Sequence, residues 1–181
     1  MSGNFFQLVS NILTETIKNG NLHTYFGEPR LDIDQFYSEQ TKWSDFRIMI
    51  PTLFLFFHGI ELLLKGANYK VALSITRPNH NLALLFTEFR KNYPTSIELT
   101  ELIDKYVYPT QANCPLLFRF NQSNNCENSS NFYELLKYPY SKNLNKYYQH
   151  REIRFLDSEG IPMYKDIIDD IGLIRSEIAK L

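Results

Sequence analysis

The chain has 181 residues, 44% of them hydrophobic and 15% aromatic, which is enough for one filled core and too apolar for a disordered segment. Its 19 basic and 20 acidic side chains give a net charge of −1, which excludes a broadly polybasic nucleic-acid binder and leaves that role to a local patch. Two cysteines, Cys114 and Cys126, lack further His or Cys at ligand spacing, so reduced thiols are expected, with no metal and no cofactor.

The N-terminus, Met1-Ser2-Gly3-Asn4-Phe5-Phe6, carries no basic n-region and no signal-type apolar stretch. Phe5, Leu8, Val9, Ile12, Leu13 and Ile17 then recur with a helical period over residues 4–18, and Asn19-Gly20-Asn21 ends the run. Residues 19–30 are expected as a loop and 32–40 as a short helix. Ser44 suits the N-cap of the next helix, and Pro51 must either kink that helix or begin a new one. From Thr52 onward the pattern is apolar all round, as for a helix surrounded by others, and Gly66 with Asn68 suits its end. The most apolar run, Leu53 to Leu64, is too short to span a bilayer and contains His58 and Glu61. A cytoplasmic protein without a membrane span is therefore expected.

Thr76-Arg77-Pro78-Asn79-His80 predicts a turn into a helix whose buried stripe is Leu82, Leu85, Phe86 and Phe89. Asn92-Tyr93-Pro94 closes it. Thr95 or Ser96 caps another helix with Ile97, Leu99, Leu102, Ile103 and Val107, and Pro109 closes that one. Leu116 to Phe120 is strand-like, Asn121 to Asn131 is a polar, mobile tip, and Phe132–Lys137 with Tyr147–Leu156 suits an antiparallel excursion. A last helix follows Asp157-Ser158-Glu159-Gly160, with Pro162 in its first turn and Ile167, Ile171, Ile174 and Ile178 on one face. No repeat or linker divides the chain, so residues 1–181 form one all-α bundle of four to five helices. An irregular or β-hairpin insertion is expected around residues 116–156.

Two constellations carry chemistry. His58, Glu61 and Lys65 sit at i, i+3 and i+7 and share a helix face, which Arg47 joins if the helix runs through Pro51. Polar groups in so apolar a helix must bond one another or line a groove. His80, at the next helix start, caps that helix or pairs with the stripe. His58, Glu61, Lys65 and His80 thus define a candidate binding groove, with a His–carboxylate pair suited to acid–base work. The plainer alternative is a structural Glu61–Lys65 pair, with His58 bonded to a neighbouring helix. The second constellation is basic and aromatic: Lys137, Tyr138, Lys142, Lys146, His150, Arg151 and Arg154, with Tyr140, Tyr147 and Tyr148 interleaved. Cations for phosphates and rings for bases are what single-stranded RNA binding requires, while a solvated hairpin whose tyrosines pack on the helices gives the same pattern. No nucleophile elbow, phosphate-binding glycine loop, His-Glu-x-x-His or EF-hand loop is present.

His58-Gly59-Ile60-Glu61-Leu62-Leu63-Leu64-Lys65-Gly66 resembles the second-helix signature of HEPN domains. His80-Asn81-Leu82-Ala83-Leu84-Leu85 is similar to the His-x-Leu-x-x-Leu that opens the family's next helix. Tyr133-Glu134-Leu135-Leu136-Lys137-Tyr138-Pro139 resembles the Leu-Arg-Tyr-Pro element before the last helix, with Lys137 in place of Arg. The matches fall in the family's order and cover about half the chain. The resemblance implies an up-and-down helical bundle, commonly a homodimer, that binds RNA, a nucleotide or a protein partner, in some members within defence or stress systems. Ribonuclease members carry Arg, four to six residues, then His. Here Arg77 lies too close to His80, and His150 is preceded only distantly by Arg119. No catalytic residue is carried over, and the expectation is a non-catalytic module. A divergent ribonuclease and a structural dimerisation domain are the alternatives.

Overall fold

The computed structural model describes residues 2–23, 33–72, 80–141 and 143–181. Among them are eight α-helices: α1 (Ser2–Lys18), α2 (Ile33–Thr41), α3 (Asp45–Ala72), α4 (Leu82–Asn92), α5 (Ile97–Val107), α6 (Pro115–Ser123), α7 (Phe132–Lys137) and α8 (Gly160–Ile178). Short 3-10 turns lie at Ser129–Asn131, His150–Ile153 and Asp157–Glu159. The protein is an all-α bundle. Helix α3 forms its axis, with α1, α4 and α7 against it, α8 against α1 and α5, and α6 against the His150–Ile153 turn.

Helix α3 buries Met49, Leu53, Phe56, Phe57, Ile60, Leu63 and Leu64, residues that point to more than one side of the helix. Neighbours surround it, which is why no single apolar stripe shows in its sequence. Gly59 marks the closest approach of α1: a Cβ there would meet the Phe6 ring at 2.8 Å.

Pro51 neither ends nor starts this helix. It lies inside one continuous α3. The ladder bond it removes belongs to the Arg47 carbonyl, and both residues are exposed, so water can serve that carbonyl. Ser44 stands before the helix and its carbonyl accepts from Arg47 and Ile48, but its hydroxyl donates back to Thr41 O rather than capping. Gly66 is no stop either, since α3 continues to Ala72. Asn68 clasps two helices instead, donating to Leu85 O at 2.9 Å and accepting from Asn92 at 3.1 Å. The helix so extended is long and apolar enough to cross a membrane, although the Leu53–Leu64 run alone is not; 56% of its apolar window is buried within the bundle.

The segment 116–156 departs furthest from the sequence reading. Leu116–Phe120 is helical, not a strand: Leu116, Leu117, Phe120 and Asn121 are buried, at helical spacing, and Pro115 sits in the first turn, where its missing N–H costs nothing. Phe132–Lys137 is likewise α7, burying Phe132, Leu135 and Leu136. Of the expected hairpin the described residues show one antiparallel bridge, Tyr140 to Tyr147. The polar Asn121–Asn131 stretch, expected as a mobile tip, is anchored by buried Asn121, Asn124 and Ser129, while Gln122, Ser123, Asn125, Glu127 and Asn131 are exposed. Asn124 is fully buried, donates to Phe120 O at 2.8 Å and accepts from Gln149 N at 2.9 Å, while Asn121 donates to Ser129 Oγ at 3.3 Å. These amides replace backbone pairing and fold the stretch onto α6. Cys114 and Cys126 are free thiols, and burial pushes Cys114 up to about 11, so it is not a reactive thiolate. The expected loop 19–30 and the Thr76–His80 turn lie largely outside the described residues.

Candidate functional site

Glu61 has a side chain only 1% exposed, in the middle of α3. A carboxylate so placed must be paired. It accepts from Lys65 Nζ at 2.5 Å, faces His58 Nδ1 at 3.2 Å on its other oxygen, and faces His80 Nδ1 at 2.9 Å. Helical spacing brings His58 and Lys65 to it, and the fold brings His80 from the start of α4. The four groove residues read from the sequence are therefore one cluster. The cluster is a bonded polar network, and its outer members are partly exposed. His58 is 27% exposed, Lys65 32% and His80 55%.

Burial by itself would raise the pKa of Glu61. The Lys65 bond and charge, the His58 bond and the His80 charge together outweigh it and hold the carboxyl below its ordinary value of 4.5. Glu61 is thus ionised at neutral pH. An ionised carboxylate only accepts, so both imidazoles present Nδ1–H to it and keep Nε2 on the far side of each ring.

The cluster extends onto α7. The His80 ring lies 5.0 Å from the Tyr133 ring, and Lys137 Nζ stands 5.0 Å from that same ring, one turn along the helix. Phe54 backs both His58 and Tyr133, at centroid distances of 6.2 and 5.3 Å, and Phe5 meets His58 edge-on at 4.9 Å. His58, Lys65, His80, Tyr133 and Lys137 therefore form one continuous face over a buried carboxylate. Tyr133 was not among the residues singled out. Its spacing of four from Lys137 was a sequence signal for a ring-and-cation pair on one helix face.

The other basic residues divide. Lys146 donates to Asn124 O and lies 5.7 Å from the Tyr148 ring. His150 Nε2 donates to Leu135 O at 2.6 Å, and Arg154 donates to Phe46 O at 2.9 Å with its guanidinium 4.3 Å over the Phe46 ring. Arg154 thus ties the 116–156 segment to α3, while Lys146 and His150 are spent on bonds within that segment. Tyr148 is spent likewise: its hydroxyl donates to Glu134 at 2.7 Å, and burial with that carboxylate pushes the phenol up to about 12. Tyr138 is exposed, with Lys137 Nζ at 5.3 Å from its ring, and Arg151 is exposed. Lys142 lies outside the described residues. Arg47 shares α3 with the cluster but sits three turns away, bonded to Ser38 Oγ at 3.4 Å. No group of three His, Cys, Asp or Glu able to hold a metal occurs among the described residues.

Sequence reading missed a second buried carboxylate, Asp45. It accepts from Asn21 Nδ2 at 2.9 Å, Phe155 N at 2.8 Å, Leu156 N at 2.8 Å and Tyr164 Oη at 3.0 Å. It clamps the end of α1, the start of α3 and the approach to α8. Its partners lie far apart in the chain, so no local spacing announces them.

The fold and site define an all-α bundle with an open, carboxylate-centred basic cluster. Compared with known proteins, the chain matches no family model, no curated protein and no solved structure.

Proposed function

We propose that this protein is a non-catalytic, HEPN-like module that binds single-stranded RNA on the face formed by His58, Lys65, His80, Tyr133 and Lys137. The observation that carries the reading is the run from half-buried Lys65 through exposed His80 and half-buried Tyr133 to exposed Lys137, anchored by buried Glu61. Two lysines supply phosphate contacts and the Tyr133 ring supplies a stacking surface, while Nε2 of His80 donates once it is protonated. Glu61 fixes the positions of these groups and so lowers the entropy lost on binding. To the same proposal the resemblance adds a homodimer acting in a defence or stress system, and the hydropathy pattern of the sequence adds a cytoplasmic location.

One observation favours a divergent ribonuclease as the second reading: a single carboxylate orients two imidazoles, as acid–base pairs require. Against it stands the absence of the Arg-to-His spacing of the family's nucleases. Incubating the protein with total RNA separates the two. The expected result is retention of intact single-stranded RNA, with affinity that falls as salt rises. Cleavage by the wild type that is lost in both His58→Ala and His80→Ala would replace the binding reading by the nuclease one. Salt-insensitive or absent affinity would leave neither.

A further inference from the structure

Helices α5 and α6 and the start of α8 line a cleft of about 240 Å³. This lies below the roughly 300–1,000 Å³ of pockets for drug-sized ligands, so its occupant is a smaller molecule. One wall is apolar, made by Tyr106, Leu116 and Met163. The polar wall holds Arg119 and Lys105 against Glu159 and Asp166. Lys105 is already committed, at 2.7 Å to Asp170 and 3.8 Å to Asp166. Arg119 is not fully committed. Its Nη2 meets Glu159 at 2.7 Å by a single contact, and its buried Nε has no hydrogen-bond partner among the described residues. A guanidinium fork engages a carboxylate best through two parallel bonds, and a buried donor left unpaired is costly. Glu159 is 62% exposed and can swing into water without a burial penalty.

We infer that this cleft binds a small zwitterion with an apolar side chain, of the α-amino-acid type. Its carboxylate takes both Nε and Nη2 of Arg119. The displaced Glu159, with Asp166, receives its ammonium, and its side chain lies on the Tyr106–Leu116–Met163 wall. The charge balance selects this class. A lone carboxylate would set a further negative charge beside Glu159 and Asp166 and bring no cation of its own to meet them. A phosphate dianion would need a second uncommitted cation, and Lys105 is held by Asp170 at 2.7 Å. This site shares no residue with the proposed RNA face, so the two readings stand or fall separately.

The test is calorimetric titration of the full chain with L-leucine, 4-methylpentanoate and 3-methylbutylamine, the last two lacking the ammonium and the carboxylate respectively. The expected result is saturable one-site binding of leucine, weakened about tenfold or more in each half-analogue and in Arg119→Gln. Arg119→Lys, which keeps the charge but loses the fork, serves as the second variant if Arg119→Gln does not fold, and a loss of about tenfold is expected there too. Glu159→Gln also weakens leucine by removing the ammonium's partner. The inference is overturned by absence of saturable leucine binding, by equal affinity for leucine and 4-methylpentanoate, or by unchanged affinity in the Arg119 variant.

Discussion

Asp45 and Glu61 both lie on α3, and both are buried, at 0% and 1% exposure. Their partners differ in kind. Asp45 is met by an amide, two backbone N–H groups and a phenol, with His23 Nδ1 3.4 Å away on a side chain only 10% exposed, so that all its partners are enclosed in the fold. Glu61 is met by one lysine and two histidines, each of which is partly open to water. A carboxylate whose partners are enclosed in the fold acts as a clamp. A carboxylate whose partners reach the surface holds them in place there. Burial alone does not separate the two acids; the exposure of their partners does.

The sharpest way to break this distinction is to remove each carboxylate. Asp45→Ala strands four donors and is expected to cost about 3–5 kcal/mol of stability, measured by urea denaturation. A cost under about 1 kcal/mol would deny it the clamp role. Glu61→Gln is expected to cost less, about 1–2 kcal/mol, because Lys65, His58 and His80 can turn to water. It should also flatten the acid limb of the stability curve. The Glu61 pKa is lower in the fold than its ordinary 4.5, so its contribution is present above that pH and is lost as pH falls below it. An unchanged acid limb in Glu61→Gln would mean that its ionisation adds nothing.

Smaller effects sharpen the comparison on the rim itself. Lys65→Ala and Lys137→Ala are each expected to reduce the salt slope of RNA binding by about one, measured by fluorescence titration at several salt concentrations. Arg154→Ala is expected to leave that slope unchanged while lowering stability by about 0.5–1 kcal/mol, because its guanidinium serves Phe46. An equal loss of RNA affinity in Arg154→Ala and Lys137→Ala would restore the whole basic segment as the binding surface.

Much of this was legible locally. The helical periods of α1, α4, α5 and α8, and the all-α class, follow from apolar spacing along the chain. So does the meeting of His58, Glu61 and Lys65, because a helix fixes which residues share a face. The errors have equally local causes. Leu116–Phe120 is too short for its period to separate helix from strand, and Pro115 beside it is at home in a helix start. Asn121–Asn131 looked like an exposed tip by composition, yet its amides are bonded inward. Pro51 suits a kink or a new start and Gly66 a stop, but α3 runs on through both, since packing around it overrides the preferences of single residues.

What the sequence determined by itself is therefore the helical class and the stripe on α3, since both depend on neighbours a few residues apart. Only the tertiary structure decided that His80 and Tyr133 complete that stripe, that Lys137 joins them, and that Lys146, His150 and Arg154 are committed elsewhere. Apart from Tyr133 and Lys137, one turn apart on α7, those pairings join residues that no helical period relates, and they form only when the helices bury their apolar faces against one another. Glu61 is the point where the two meet: its spacing named two partners, and the packing of α4 against α3 supplied the third.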